Sequence, residues 1–550
     1  MALADGAADG DARKRIAIVG AGPTGLYTFF ALLEAGTPCS IAIYEQAEQA
    51  GVGMPYNDDE TSRLMLANIA SIEIPPLVST YLDWLRDQAP ARLARYGVDK
   101  AGLHERQFLP RILLGEYFRD QFLMLVARAT ASGFEVDVHE RCGVTDLEAR
   151  DDGVWLSAQC HPAPRRFDLA VIATGHVWPD EDEATRSFFP SPWSGLLDAR
   201  IPACAVGIMG TSLSAIDAAM AVAAQHGHFV EDADEVLRFT RNDGSEHLSI
   251  TLMSRSGLLP EADFYCPIPY EPLRIATPDA IAREIAAGAD GLLDRVFALM
   301  AREIEAADPG WSARVALAGR DADSFADAYF SDRQRHDAFR WAEYNLNEVE
   351  RNKRERHTVP WRYAILRLHE AVQEIVPHLT DADRERFGAG LVKVFVDNYA
   401  AIPSESIRRL LALRTADVIG LLELGPDYVM EVRDDGTVIS VAGRARHFDV
   451  FIDARGQKPL KTRDLPFPRL RRQLLAAGQD SPDVSDTYIL LAPDEARGRI
   501  AFGALPYLMH DQPFIQGITA SAAIGSAIAR ALAPSAHPVR RTPRLLPEWC

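Results

Sequence analysis

The 550-residue chain has little cysteine, no surplus of positive charge and no long unbroken apolar run. Its six cysteines, Cys39, Cys142, Cys160, Cys204, Cys266 and Cys550, are scattered without a C-x-x-C pair. That pattern reads as reduced thiols of a cytoplasmic protein, not as a disulfide framework or a zinc site, and no metal is expected. Acidic residues number 78 against 58 Lys and Arg, a formal charge of −20. Such a balance excludes nucleic acid or an anionic membrane as the main partner, since both reward a basic face. It leaves room for a local basic pocket that takes a small anion. One stretch, "RKRIAIVGAGPTGLYTFFALLEAG", has the outline of a signal anchor. Gly20, Gly22, Pro23 and Gly25 interrupt it, and it lacks a small-residue cleavage site. Residues 1–12 read as a disordered leader.

What is present points to a soluble α/β enzyme too long for one core, with 47% apolar and 25% charged residues. In "RIAIVGAGPTGLYTFFALLEAGTPCSIAIYE" a short apolar strand runs into Gly20, Gly22 and Gly25. Those glycines permit a tight turn, close approach of the backbone to a pyrophosphate, and close helix–strand packing. The helix that follows, with Pro23 and Thr24 at its start, directs free N–H groups and its positive dipole end at phosphates. A second strand ends at Glu45, whose carboxylate suits a ribose diol. Next come an alternating hairpin and "RRFDLAVIATGHVWP", a strand ending at Thr174 and Gly175.

The same order recurs. "ACAVGIMG" is a strand, residues 212–224 a helix, and "HLSITLMSRSG" a strand ending at Arg255. Much later, "DYVMEVRDDGTVISVAGRARHFDVFIDARGQKP" repeats the hairpin and its following strand. Two copies of one plan imply two nucleotide-binding domains, the second with a long insertion. The second fingerprint keeps Gly210, followed by Thr211, but has Ser212 and Ala215 where glycines would stand. Both are small enough for backbone approach, and Ser212 and Ser214 offer hydroxyls. Where the first copy has an acid, the second has arginine, which suits a 2′-phosphate; the site reads as one for NADPH. The alternative is a surface salt-bridge arginine in a domain that has lost its cofactor.

Residues 278–415 read as helices with caps such as "TPDAIAREI" and no nucleotide motif. Cations stand beside aromatic and amide groups at Arg356, Trp361, Arg362, Asn398, Tyr399 and Arg408, which makes the insertion a candidate substrate lid; His510 is a further pocket candidate. Solvated helix faces are the alternative. The expected division is 13–200 and 461–550 for a first domain, 201–277 and 416–460 for a second, and 278–415 for the insertion.

Strand, glycine turn, helix, strand, acid, meander and "ATG" resemble the FAD domain of flavoproteins with two dinucleotide-binding domains. The resemblance implies that "GVGMPYNDDETSRLMLANIASIEIPP" lies over the adenosine and toward the isoalloxazine, with Gly53, Met54, Tyr56, Met65 and Asn68 as contacts. It also implies that Arg111 faces FAD and that the last helix aims its start at the flavin, with Phe514, Gly517 and Thr519 near the ring. "GVGMPY", "SRSGLLP" and "DARGQKPL" are similar to flavin-dependent N-hydroxylating monooxygenases, nearest to those that oxidise the amine of aspartate. In such enzymes NADPH reduces FAD, O2 adds at the flavin C4a position, and the hydroperoxide passes oxygen to a neutral amine. The cofactor carries that chemistry, so no triad or metal cluster is expected. A flavin-dependent NAD(P)H dehydrogenase without oxygen transfer, or a non-catalytic nucleotide-binding protein, stays open. So does the oligomeric state.

Overall fold

Ile16, Ala17, Ile18 and Val19 are all buried, as befits a parallel strand covered on both faces. They belong to β1 (Arg15–Val19), which leads into the helix Pro23–Glu34 and then β2 (Ser40–Tyr44). The computed structural model describes residues 13–57, 63–179, 183–234 and 236–532; the expected leader and Cys550 lie outside them. A long connection containing the helix Arg111–Ala131 reaches β3 (Glu135–His139). A meander of β4 (Val144–Arg150), β5 (Gly153–Ala158) and β6 (Arg165–Phe167) precedes β7 (Leu169–Ile172).

The chain then crosses to a second sheet. It contributes β8 (Phe188–Phe189) and β9 (Ala205–Met209), the helix Leu213–His226, a hairpin of β10 (Gly227–Glu231) and β11 (Leu237–Arg241), and β12 (Ser249–Ser254). After the helical insertion come β13 (Ile419–Glu423), the meander β14 (Tyr428–Arg433), β15 (Gly436–Val441) and β16 (Arg444–Phe448), and β17 (Val450–Asp453). The chain returns to the first sheet as β18 (Ile500–Phe502) and closes with the helix Gly517–Leu532.

The two parallel sheets run β3-β2-β1-β7-β18 and β13-β12-β9-β17-β8. They are one arrangement used twice, with β9 in the place of β1 and β12 in that of β2. One boundary differs from expectation. β8 already belongs to the second sheet, with Phe188 opposite Phe451 of β17, so the crossing falls before residue 188 and not at 200.

The insertion also divides. Phe297, Trp311, Phe325, Ile365 and Phe395 form a core of their own. The helix Ala338–Glu355 instead buries Phe339, Ala342, Leu346 and Val349, a stripe at helical spacing, in the core of the second sheet, where the helix Ser404–Thr415 joins it.

The cysteine reading needs correction. Cys142 and Cys160 are joined as a disulfide with Cα atoms 5.3 Å apart, while Cys39, Cys204 and Cys266 are free. The two partners flank the β4–β5 hairpin, whose antiparallel pairing brings Val144 opposite Ala158. Sequence spacing does not reveal that proximity. Among the described residues no helix is long and apolar enough to cross a membrane.

Candidate functional site

At the first turn a Cβ on Gly25 would collide with the carbonyl oxygen of Gly20, so only glycine lets the helix pack this close to the strand. The helix begins at Gly22 with no side-chain cap, which leaves its first amides open to an anion. Pro23 lies at its first position, and Gly53 approaches within 2.8 Å of the Pro23 ring when given a Cβ. The segment Met54–Tyr56 therefore passes directly over the turn.

Glu45 is 9% exposed. Its two oxygens accept hydrogen bonds at 2.9 Å from the backbone N–H of Ala21 and of Ala47, which fixes the carboxylate beside the turn. Thr174 is next to Gly20, and its buried Oγ1 has no hydrogen-bond partner. His176 Nδ1 and Trp178 Nε1, a few residues on, are likewise buried and unpaired. Orphaned polar atoms beside an uncapped helix start and an aligned acid fit a dinucleotide such as FAD. Gly175 and Gly517 both face open space.

Several expected contacts have other partners. Thr24 Oγ1 shares a hydrogen bond of 2.9 Å with Ser521 Oγ in the last helix. Tyr56 packs edge-on against Phe118, and burial pushes its hydroxyl up to about 12. Met65 is completely buried in the core of the second sheet, because its stretch bridges the two halves. Asn68 is exposed. Arg111 does not stand free for FAD: its Nη2 lies 2.7 Å from Asp217 Oδ2 in the helix Leu213–His226, where Asp217 is buried and Arg111 largely covered. Its Nε also donates to the Leu66 carbonyl at 3.1 Å. Phe514 is buried among Phe387, Phe395 and Tyr399 of the insertion. Thr519 is half-buried in the first turn of the last helix.

The second turn is built for close approach despite its missing glycines. Gly210 has φ +134°, and a Cβ there would meet the Ala454 carbonyl oxygen at 2.9 Å and the Ala215 methyl at 3.2 Å. Ser212 caps the helix Leu213–His226 without using its hydroxyl, and is exposed. Ser214 is half-buried. Thr211 Oγ1 donates to Ser254 Oγ at 3.4 Å. At the end of β12, exposed Arg255 makes no ion pair among the described residues. It borders a cavity of about 1180 Å³ that Lys393, Arg414 and Arg446 also line. Lys393 and Arg446 are exposed and carry no ion pair among the described residues either. Neither is legible in sequence, because they come from the insertion and from the β14–β16 meander.

Most of the insertion's candidate substrate residues are held by the protein itself. Arg362 is buried with Nη1 2.8 Å from Glu261 Oε2, so it neutralises an internal carboxylate rather than a ligand. Trp361 stacks on Trp311 at 4.5 Å between centroids. Arg408 pairs with Glu350 and Glu405, and exposed Arg356 forms the left-handed C-cap of the helix Ala338–Glu355. His510 is exposed and bonds Asp511 at 2.9 Å. Asn398 is buried with an unpaired Oδ1, beside Tyr399, whose ring lies 5.3 Å from that of His369. Burial holds His369 down at about 4 and pushes Glu370, next to it, up to about 7. Glu73 is also raised to about 7, by burial first and then by Asp263. Lys353 Nζ sits 3.1 Å from Asp263. No spacing in the sequence marks these acids, since burial and, for Glu73, the nearby Asp263 set them apart.

Residues 17–177 match the FAD-NAD(P)-binding family, and residues 277–399 match the YdhS-like middle domain. The fold is similar to the ornithine N-hydroxylase of Kutzneria sp. 744, at 13% identity and TM-score 0.50 over 94% of this chain and 98% of that one. It is equally similar to the ornithine hydroxylase of Pseudomonas aeruginosa, at 12% identity and TM-score 0.51 over 95% and 98%. The L-lysine 6-monooxygenase of Pseudomonas syringae gives 14% identity and TM-score 0.50 over 94% and 99%. A relative from Escherichia coli (strain K12), the uncharacterised protein YdhS, is 63% identical over 528 residues, 96% of this chain and 99% of that one. A two-sheet dinucleotide-binding frame, a matching middle domain and identity across nearly the whole length together place this chain in the YdhS family.

Proposed function

We propose that the chain is an FAD- and NADPH-dependent monooxygenase that hydroxylates the amine of a small amino acid, with aspartate the first candidate. The observation that carries this reading is the doubled frame itself. Each sheet presents an uncapped helix start, and at the second, exposed Arg255 at the end of the adjacent strand lines a cavity with Lys393 and Arg446, none of them in an ion pair among the described residues. Neighbours of the same fold over 94% or more of this chain are N-hydroxylases of ornithine and lysine.

In this reading the turn at residues 20–25, Glu45 and Thr174 hold FAD, with Gly53, Met54 and Tyr56 passing over it. Gly210, Thr211, Ser212 and Ser214 take the second pyrophosphate. Arg255, joined by Lys393 and Arg446, takes the 2′-phosphate through charge-assisted hydrogen bonds. Bound FAD supplies the redox and oxygen-transfer chemistry. The protein's share is to exclude water and to control protons. Glu73 and Glu370 are each held near 7, where a carboxyl group exchanges a proton at neutral pH.

The test is NADPH oxidation by FAD-loaded protein with single amino acids in air, with mass spectrometry of the products. An amino-acid-stimulated rate with a hydroxylamine or nitroso product supports the proposal. Turnover that persists without oxygen, with a dye as acceptor and no oxygenated amine, would make it a dehydrogenase.

A further inference from the structure

Four soft or borderline ligands converge at the edge of the first sheet, beyond the C-terminal ends of β2 and β3 and two strands over from the Gly20 turn. His139 ends β3, Cys142 follows three residues later, and Cys160 and His161 follow β5. Donor atoms of His139, Cys160 and His161 all lie within 4.8 Å of one another, and Cys142 is bonded to Cys160. The rings of His139 and His161 are 4.8 Å apart and nearly perpendicular. Tyr44 stacks on His139 at 4.7 Å, and its hydroxyl is 3.3 Å from His161 Nε2, which fixes both imidazoles from one side. His139 Nε2 is buried without a hydrogen-bond partner; Asp137 Oδ2 is 2.9 Å away but outside hydrogen-bonding geometry.

We propose that Cys142, Cys160, His139 and His161 form a redox-gated site for a zinc-class metal ion, closed in the disulfide form and opened by reduction. Two thiolates and two imidazoles are the donor set of a tetrahedral zinc site, and softer than one suited to magnesium or calcium. With ordinary zinc–sulfur and zinc–nitrogen bonds, the donors of such a tetrahedron stand roughly 3.4–3.8 Å apart. Breaking the S–S bond lets the sulfurs separate toward that spacing, and the imidazoles need to close in by only about 1 Å. Cys160 is exposed and gives reductant and metal a way in, whereas Cys142 is buried and supplies the dry side. Asp137, itself 3.5 Å from Arg165, stands behind His139 as an outer-shell carboxylate.

The chemistry balances simply. A thiol or dithiol reductant delivers two electrons and two protons, the S–S bond breaks, and the reductant leaves as its own disulfide. Metal binding then releases the two thiol protons to solvent as two metal–sulfur bonds form. The site adjoins the first cofactor frame: the Cys142 amide donates to the Glu45 carbonyl at 2.8 Å, and the Glu45 amide to that of His139 at 2.9 Å. The inference does not depend on the cofactor assignment.

Full-length protein reduced with a phosphine and desalted anaerobically is offered zinc chloride or cobalt chloride. The reduced protein is expected to keep about one metal equivalent per chain, with cobalt showing thiolate charge-transfer and tetrahedral ligand-field bands. Oxidised protein should keep none, and Cys160→Ser and His161→Gln should bind at least about tenfold more weakly. His161→Gln retains both cysteines, so it decides the matter even if loss of the disulfide impairs folding. Reduced, folded wild type that keeps no metal overturns the proposal. So does a His161→Gln variant that keeps as much zinc as the wild type.

Discussion

Glu45 is a residue whose place at a strand end was legible and whose exact duty was not. Its position after an alternating strand and a glycine turn marks it for a ribose. Folding adds that Ala21 and Ala47 hold both oxygens through their amides. Glu45→Gln keeps the size but removes the charge and one acceptor. Hydrogen bonds to a charged group are worth about 1.5–3 kcal/mol, so FAD affinity should fall about tenfold to a hundredfold. Flavin fluorescence on titration measures it, and unchanged affinity would remove Glu45 from the site. Arg255 makes a parallel case. Arg255→Ala should raise KM for NADPH by about tenfold or more while leaving that for NADH within about twofold, since only the former has a 2′-phosphate to lose. Equal effects on both would show that Arg255 serves another purpose.

Elements show where periodicity succeeds and where it stops. The helix Pro360–Gln373 is evident from its pattern, yet nothing in that pattern says that the Glu370 carboxyl is partly withdrawn from water. Burial raises Glu370 to about 7 from 4.5. The folded state therefore binds its proton more tightly than the unfolded chain. The resulting stability is complete below about 4.5 and is lost as pH rises through about 7. Glu370→Gln cannot ionise and escapes that loss. Its melting temperature relative to wild type should climb from about pH 5 to about pH 8, and a constant difference across that range would refute the assignment. The same limit on local reading explains Phe514. Nothing in the loop before the small-residue helix says that four aromatic groups of the insertion surround the Phe514 ring.

The whole molecule is held together by charges that no single segment announces. Arg111 at the start of one helix and Asp217 inside another form a buried pair that joins the first half to the second. Burial raises the Asp217 carboxyl even against Arg111's pull, so the pair is held at a real desolvation cost. Arg111→Met strands that carboxylate and should cost about 3–5 kcal/mol. The double variant with Asp217→Asn should recover most of the loss. Thermal unfolding of the four proteins tests this, and additive losses would mean the pair is not coupled. A comparable cluster, Glu261 with Arg362 and with Arg333, which also pairs with Asp397, binds the insertion to the second frame. It explains why Arg362 is unavailable to a substrate.

By itself the sequence determined the repeated strand–turn–helix frame, the acid at the end of β2 and the arginine at the end of β12. These depend on local sterics and on periodicity, which a chain carries wherever it is folded. Only tertiary structure decided which charges neutralise one another, which acids lie dry, and that Cys142 meets Cys160 beside two histidines. Those outcomes turn on desolvation and on contacts between distant segments, so no window of neighbouring residues contains them.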